Sequence, residues 1–263
     1  MKVRSGIAYL VQDTGTMFKR CMLLSLRNLD AFLTGIGTPI LMMLLFVYVL
    51  GGAMNVGNLN YVDYLVPGII LQCIGQCGST TAISVNNDLR KGITDRFRSM
   101  PIASSSVLTG HALAAMVRNI ITTALILAMA YFIGFRPVAG VVHWLIVIGI
   151  LLLFMAALTW LSIIFGLISG SAESANGISA IIMFLPYLSS GFAPTETMPT
   201  ALRIFAEKQP MTPIIESIRS LLMNATMDEN LLPAVLWCVG ILIVAYVGAV
   251  TIYKRKAAKW GVR

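Results

Sequence analysis

Long windows without a single charged residue constrain the fold of this chain more than any other feature. Six such windows occur, and short clusters of charged residues separate them. A helix needs about 20 consecutive apolar residues to cross the hydrocarbon core of a bilayer. Only 11% of the residues are charged, so a soluble globular surface cannot be built from this composition. The chain is therefore expected to lie in a membrane.

The pattern predicts an all-α integral membrane protein with six transmembrane helices, because helices satisfy their own backbone groups in lipid. The expected spans are residues 31–54, 62–86, 109–135, 142–170, 174–195 and 231–253. They make up one six-span domain over residues 31–253. Residues 1–30 form an N-terminal segment, and residues 254–263 form a basic tail.

The distribution of Lys and Arg predicts the orientation of these spans. Fifteen of the 19 lie before the first span, in or next to the loop after the second span, or after the last span. Loops rich in Lys and Arg remain in the cytosol, so both termini are expected to be cytosolic in a multi-pass cell-membrane protein. The net charge of +8 follows from this asymmetry, and no nucleic-acid partner is expected.

Two segments outside the spans have amphipathic helical patterns. Residues 17–29 predict a helix lying in the cytosolic membrane interface, with an ordinary solvated leader as the alternative. The face expected to meet the membrane carries Phe18, Cys21, Met22, Ser25 and Leu29. In residues 190–230, two short patterns flank the breaker QPMTP. Their apolar content predicts a re-entrant helical hairpin on the outside, before the last span.

Groups for catalysis, ion coupling or metal binding are not brought together by this sequence. The acidic residues fall at span ends or in loops, which argues against proton coupling through a membrane carboxylate. No GxxxxGK[ST] loop for ATP occurs. Cys73 and Cys77 share a helical face, but without His or carboxylate neighbours they are interpreted as small buried side chains. We predict no catalytic residue, no metal and no cofactor in this chain.

The stretch NNDLRKGITDRFRSMPIAS, residues 86–104, breaks the apolar pattern with a cluster of basic residues. Gly92 predicts the end of a helix that continues the second span. Thr94 can cap a second, short helix with Asp95 in its first turn, and Pro101 ends it. Such a helix suits docking of another protein through apolar side chains and guanidinium groups. A positively charged anchor facing lipid headgroups is the alternative.

The longer stretch NDLRKGITDRFRSMPIASSSVLTGHALAAMVRN resembles the first cytosolic loop of the type-2 family of ATP-binding-cassette (ABC) permeases, particularly daunorubicin-resistance-like drug exporters. A second stretch, SSGFAPTETMPTALRIFAEKQPMTPIIESIRSLL, is similar to the outside segment of the same family. Gln209 stands there in place of the usual Asn, and Ser217 in place of the usual Ala. The two stretches occur in the order and at the topological positions that the family has.

The resemblance implies a membrane-spanning permease subunit of an ATP-driven exporter, which moves an amphipathic drug, antibiotic or lipid-like substrate out of the cell. A separate cytosolic ABC ATPase would bind ATP and Mg, and a second permease subunit, identical or related, would complete the assembly within the membrane lipid. Export of a lipid-linked glycan is the alternative of similar fold. A gradient-driven carrier and a non-transporting scaffold are the alternatives from other classes.

The resemblance also implies roles for particular residues. The short loop helix would couple the ATPase to the permease, and spans two and five would border the substrate path. The coupling residues are Thr94, Asp95, Arg96, Phe97, Arg98, Met100 and Pro101. The candidate path residues are Gln72, Gln76, Ser79, Asn176 and Tyr187. Hydrogen bonding between neighbouring helices is the alternative role for the path residues.

Overall fold

A computed structural model describes residues 7–27, 29–54, 56, 59–92 and 104–260. Within these ranges the regular structure is helical, without strands. The α-helices are α1 (Ile7–Arg27), α2 (Leu29–Leu44), α3 (Tyr61–Arg90), α4 (Ser104–Ile133), α5 (Val141–Ile168), α6 (Ala172–Phe184), α7 (Thr200–Lys208), α8 (Met211–Arg219) and α9 (Leu231–Trp260). Shorter helical turns comprise π-helical Leu45–Leu50 and Ser220–Asn224, and 3-10 Leu185–Leu188 and Thr195–Thr197.

Five helical segments in the described part of the chain are long and apolar enough to cross a membrane. They are Leu33–Leu50, Tyr61–Arg90, Ser106–Ile133, Val141–Ile168 and Leu231–Lys256. In chain order they correspond to the first four predicted spans and the last one, with ends shifted by a few residues. The prediction of an all-helical, multi-pass membrane protein is confirmed at this level.

The segment predicted as the fifth span, 174–195, has a different structure. Helix α6 contains 13 residues, about 20 Å of helix, which is less than the roughly 30 Å hydrocarbon core of a bilayer. The helix begins with a capping box, in which Ser171 Oγ accepts a hydrogen bond from the Ser174 amide. It ends at Phe184 rather than near residue 195, because Pro186 has no N–H to continue the α-helical ladder.

Helix α3 is the centre of the bundle. Of its candidate span, 72% is buried, against 17% for the first and last candidate spans. It packs against α2, α4, α5, α6 and α8. A Cβ atom on Gly166 of α5 would lie 2.5 Å from the Ala82 carbonyl oxygen of α3, so this crossing requires glycine. Asn86 Nδ2 then donates to the Gly166 and Ser169 carbonyls at 3.1 and 2.7 Å.

Helix α1 lies against α4, and α9 lies against α5. The α1–α4 contact is close, since a Cβ atom on Gly110 would lie 2.5 Å from Met17 Cβ. Helix α1 begins at Ile7, before the residues that predicted it. Of its predicted apolar face, Phe18, Cys21, Met22 and Ser25 are buried or half-buried, whereas Leu29 belongs to α2.

The stretch between α6 and α9 contains the two short helices α7 and α8, separated at Gln209 and Pro210. Helix α8 belongs to the core, and its Ile214, Ile215 and Ile218 have no exposed surface. Gln209 Nε2 donates to the Leu185 and Leu188 carbonyls, so the break between the helices is tied to the end of α6.

The predicted helix stop at Gly92 is confirmed. Helix α3 ends at Arg90, and Gly92 follows with a φ of +63°, a left-handed conformation that glycine adopts without strain. The Gly92 amide donates to the Leu89 carbonyl at 3.2 Å. The short helix predicted over Thr94 to Pro101 lies outside the described residues.

Candidate functional site

The five candidate path residues lie along the faces of α3 and its neighbours. Gln72 of α3 donates through Nε2 to the Tyr187 hydroxyl, and Ser79 Oγ donates to Asn176 Oδ1 of α6. Gln76, between them on α3, donates to the Thr34 carbonyl of α2 at 3.2 Å. We call α6 together with the 3-10 turn that follows it, residues 172–188, the α6 segment. The structure therefore brings four of the five residues into two pairs across one seam between α3 and the α6 segment.

Burial varies along this seam. Gln72 is fully buried, Gln76 and Tyr187 are half-buried, and Asn176 is exposed. The Oε1 atoms of Gln72 and Gln76 have no hydrogen-bond partner among the described residues. These side chains are neutral, so the seam can bind an uncharged polar group or an aromatic ring. Pairing between helices, the alternative role, is what the observed contacts of Ser79 and Asn176 provide.

An aromatic cluster surrounds Tyr187, and the sequence analysis did not identify it. The Tyr187 ring stacks on Phe192 with centroids 4.4 Å apart, and Phe46 lies 4.9 Å from Phe192. Phe184, which is 55% exposed, lies 6.1 Å from Tyr187. Phe184, Tyr187 and Phe192 come from one short stretch of the chain, and Phe46 comes from the first candidate span. The contact with Phe46 joins residues far apart in sequence, so no local signal indicated it.

Near the beginning of α3, a buried arginine of α8 forms hydrogen bonds with α3 and with the stretch around Ser190. Arg219 of α8 is 5% exposed, and it donates to the Ser190 carbonyl at 2.7 Å and to the Tyr64 carbonyl at 3.1 and 3.2 Å. Its guanidinium lies 3.6 Å from the centre of the Tyr64 ring, and Glu216 accepts from it at 2.6 Å. We call this group the Arg219 latch. From sequence, Arg219 was only one of the few basic residues expected outside.

At the other end of α3, Asp88 joins α1, α3 and α4. Arg20 of α1 donates to both Asp88 oxygens at 2.6 and 2.9 Å, and His111 Nε2 of α4 lies 3.1 Å from Asp88 Oδ2. The carboxylate raises the pKa of Arg20, chiefly through this hydrogen bond. We call these three residues the Asp88 cluster. They are separated by tens of residues, so sequence spacing could not show the contact.

The residues predicted to couple the chain to an ATPase, Thr94 to Met100 and Pro101, lie outside the described residues. The described structure leads directly to this loop at both ends. Helix α3 ends at Arg90, shortly before Gly92, and α4 begins at Ser104. The Asp88 cluster lies close to both helix ends and links α1 to them.

Comparisons with known proteins agree with this architecture. The sequence model of the ABC-2 type transporter family matches residues 12–223. The chain belongs to the ABC-2 type transporter family. Members of this family are transporter permease subunits, generally without catalytic residues of their own, that normally work with a cytosolic ABC ATPase.

Individual relatives of this ABC-2 permease are similar over most of its length. It is 27% identical over 216 residues to the daunorubicin resistance ABC transporter permease protein DrrB1 of Streptomyces coeruleorubidus, covering 82% of this chain and 74% of the relative. It is 25% identical over 228 residues to the probable doxorubicin resistance ABC transporter permease protein DrrC of Mycobacterium tuberculosis, covering 85% and 83%. The putative transport permease ycf38 of Cyanophora paradoxa is 25% identical over 220 residues, covering 81% and 75%.

Proposed function

We propose that this ABC-2 permease is the membrane subunit of an ATP-driven exporter for an amphipathic drug, antibiotic or lipid-like compound. The observation that carries the proposal is the family match over residues 12–223, together with relatives named for resistance to daunorubicin and doxorubicin. The described residues contribute apolar helices and neutral polar pairs, which suit translocation of a substrate rather than its chemical conversion.

The proposed substrate path runs along the seam between α3 and the α6 segment. Gln72, Gln76, Ser79, Asn176 and Tyr187 supply hydrogen-bonding groups along it. The aromatic cluster of Phe46, Phe184, Tyr187 and Phe192 adds flat apolar faces, which favour a planar ring system in the substrate. Both kinds of contact are tolerant of shape, as expected for a substrate that carries apolar and polar parts.

The proposed assembly contains two permease chains, identical or related, and a cytosolic ABC ATPase that binds ATP and Mg beneath each. Apolar side chains are exposed on α6 beside the seam, at Ile181 and Phe184 with 65% and 55% exposure. Contact with a second chain or with lipid would cover this face. Six crossings, cytosolic termini and an outside hairpin that re-enters the membrane complete the proposed topology, with the α6 segment as the shortened fifth crossing.

The transport function is tested in inside-out vesicles that contain this chain and its ATPase. Daunorubicin uptake should require ATP and both proteins, and vesicles with either protein alone should show none. Uptake driven by an ion gradient in vesicles with this chain alone would establish a carrier instead. ATP-dependent movement of a lipid-linked glycan without drug uptake would assign the alternative substrate class.

Coupling is tested by Phe97→Asp in the loop between α3 and α4. If the loop helix docks on the ATPase, the new carboxylate enters an apolar contact without a partner, which costs several kcal/mol if it is desolvated. We expect normal amounts of permease in the membrane, loss of the co-purifying ATPase, and loss of ATP-driven uptake. Normal complex formation and uptake in this variant would exclude the docking role.

A further inference from the structure

A cavity of about 260 Å³ lies between α1, α3 and α4, next to the Asp88 cluster. Two cationic side chains, Lys91 and Arg118, line it. Hydroxyl and amide side chains also line it, namely Ser25, Thr80, Thr81, Ser84 and Asn87, as do Asp88 and His111 of the Asp88 cluster. Positive charge combined with several hydroxyl and amide groups is the composition of a site for a phosphate group.

Arg118 has no carboxylate partner among the residues that the structure describes. Its guanidinium donates to the Ser25 hydroxyl at 3.2 Å, the Thr81 hydroxyl at 2.7 Å and the Cys77 carbonyl at 3.3 Å. All three acceptors are neutral. Its Nε is shielded from solvent and has no hydrogen-bond partner in the part of the chain that the structure describes. A cation in this position is stabilised when an anion enters the cavity, because buried charges require compensation.

The one carboxylate of the cavity wall does not supply that anion. Asp88 already accepts two hydrogen bonds from Arg20 and lies 3.1 Å from His111 Nε2. Lys91, on the rim of the cavity, is exposed and adds a second positive charge. The lining therefore carries an excess of positive charge, which attracts an anion and disfavours a cationic ligand.

The position of the cavity points to the membrane as the source of the anion. Thr81 and Arg118 lie within candidate spans, and Lys91 follows the end of α3, so the cavity extends from the spans toward the loop between α3 and α4. Leu24 lines the cavity and is 46% exposed, so an apolar wall continues to the protein surface. The volume is below the roughly 300–1,000 Å³ of pockets that enclose a whole drug-sized ligand, but it can hold a headgroup whose chains remain outside.

We propose that this cavity binds the phosphate group of an anionic membrane lipid, with Arg118 as the principal contact and Lys91 at the rim. The site is separate from the α3–α6 seam, so it holds whether or not this protein exports a drug. Bound lipid would also bridge α1 to α3 and α4 beside the loop that carries the predicted coupling residues.

The test follows thermal unfolding of the purified full-length chain in a neutral detergent. Phosphatidylglycerol, phosphatidylcholine with the same acyl chains, and inorganic phosphate are each titrated. We expect phosphatidylglycerol to raise the melting temperature at the lowest concentration, and the other two to have little effect in that range. Equal responses to both lipids, or an equal response to inorganic phosphate, would overturn the proposal of an anionic lipid site.

Substitutions test whether the rise in melting temperature with phosphatidylglycerol comes from binding in this cavity. Arg118→Gln should raise the phosphatidylglycerol concentration needed for half of the melting-temperature change about tenfold, the size expected for losing one charge-assisted contact. Arg203→Gln removes an exposed cation from α7, far along the chain, and should leave that concentration unchanged. An unchanged lipid response in Arg118→Gln would overturn the site.

A second variant keeps the test decisive if Arg118→Gln does not fold. Lys91 is exposed at the end of α3, so Lys91→Gln removes rim charge without disturbing packing. We expect about a threefold higher half-maximal phosphatidylglycerol concentration, as for a more exposed and solvent-screened charge. A wild-type response in Lys91→Gln, with Arg118→Gln unfolded, would count against the site. None of these measurements uses the ATPase or a transport substrate.

Discussion

Two arginines from neighbouring helices contact opposite halves of α3, and their charges are compensated in different ways. Arg219 is paired with Glu216, bonded to two carbonyls and stacked on the Tyr64 ring. Among the described residues, Arg118 has only neutral partners, and its Nε–H lacks a hydrogen-bond acceptor beside a cavity. The Arg219 latch satisfies its charge within the protein, whereas the Arg118 cavity leaves a charge that a ligand can satisfy.

This difference suggests that the two regions differ in how strongly their stability depends on a bound ligand. A self-satisfied ionic group holds its segments in one arrangement, because opening it exposes several polar atoms at once. A charged group without a charged partner can bind an anion, and such binding stabilises the folded protein. The stability of that region therefore depends on the surrounding lipid or solute. We therefore expect the Arg219 region to be rigid under all conditions, and the Arg118 region to be sensitive to conditions.

The largest expected effect is that of Arg219→Ala. It leaves Glu216 without its partner and removes the bonds to the Tyr64 and Ser190 carbonyls, so the free energy of unfolding should fall by about 3–5 kcal/mol. Chemical or thermal unfolding in detergent measures this. Arg203→Ala, which breaks an exposed pair with Glu207, is the control and should cost less than about 1 kcal/mol. Similar losses of unfolding free energy in both variants would show that the buried Arg219 latch stabilises the fold no more than an exposed ion pair does.

Gly68→Ala should have the next largest effect, and it tests the packing behind the latch. A Cβ atom there would lie 2.6 Å from the Gly191 carbonyl oxygen, and the opposing atoms are backbone. Overpacking of this kind costs about 1–3 kcal/mol. Gly149→Ala is the matched control in α5, where a Cβ atom meets nothing within 4 Å. A neutral Gly68→Ala would mean that α3 and the Gly191 segment can separate without cost.

A smaller effect is expected for the Asp88 cluster at the other end. A double-mutant cycle with Asp88→Asn and Arg20→Gln should give a coupling free energy of about 1 kcal/mol, because the pair is hydrogen-bonded at both oxygens but partly open to solvent. The side chain of Arg20 is 26% exposed. A coupling energy near zero would show that the Arg20–Asp88 pair does not stabilise the packing of α1 against α3.

The smallest expected effect is that of Arg118→Gln in lipid-free detergent. The substitution removes a charge that no described carboxylate compensates, so the free energy of unfolding should change by less than about 1 kcal/mol. The contrast with Arg219→Ala, measured in the same detergent, is the sharpest form of the comparison. A loss as large as that of Arg219→Ala would show that Arg118 already has its charge satisfied within the protein.

The sequence predicted those parts of the fold that depend on local composition. Charge-free windows located the five long apolar helices to within a few residues, and Gly92 marked the end of α3. The α6 segment was less predictable, because its apolar window includes Pro186, and hydropathy does not register the effect of a proline on the backbone. The two short helices on either side of Gln209 followed from their own breaker residues.

The candidate site also has features that the sequence could predict and features that it could not. The polar positions of α3 and the α6 segment could be selected from sequence, because a polar side chain within an apolar span is conspicuous. Which of them pair could not, since Gln72 meets Tyr187 and Ser79 meets Asn176 across more than 90 residues of chain. The aromatic cluster was missed because aromatic residues in a membrane protein are ordinary lipid-facing or interfacial side chains until their neighbours are known.

The sequence by itself determined that this chain is a helical membrane protein, and it contained two stretches that resemble segments of ABC-2 permeases. These properties depend on composition and on neighbours in the chain. Only the tertiary structure decided that Arg219 has a carboxylate partner and that Arg118 has none among the described residues. Whether a charge is compensated depends on distances of a few ångströms between helices far apart in sequence, and Coulomb and hydrogen-bond energies change steeply over those distances.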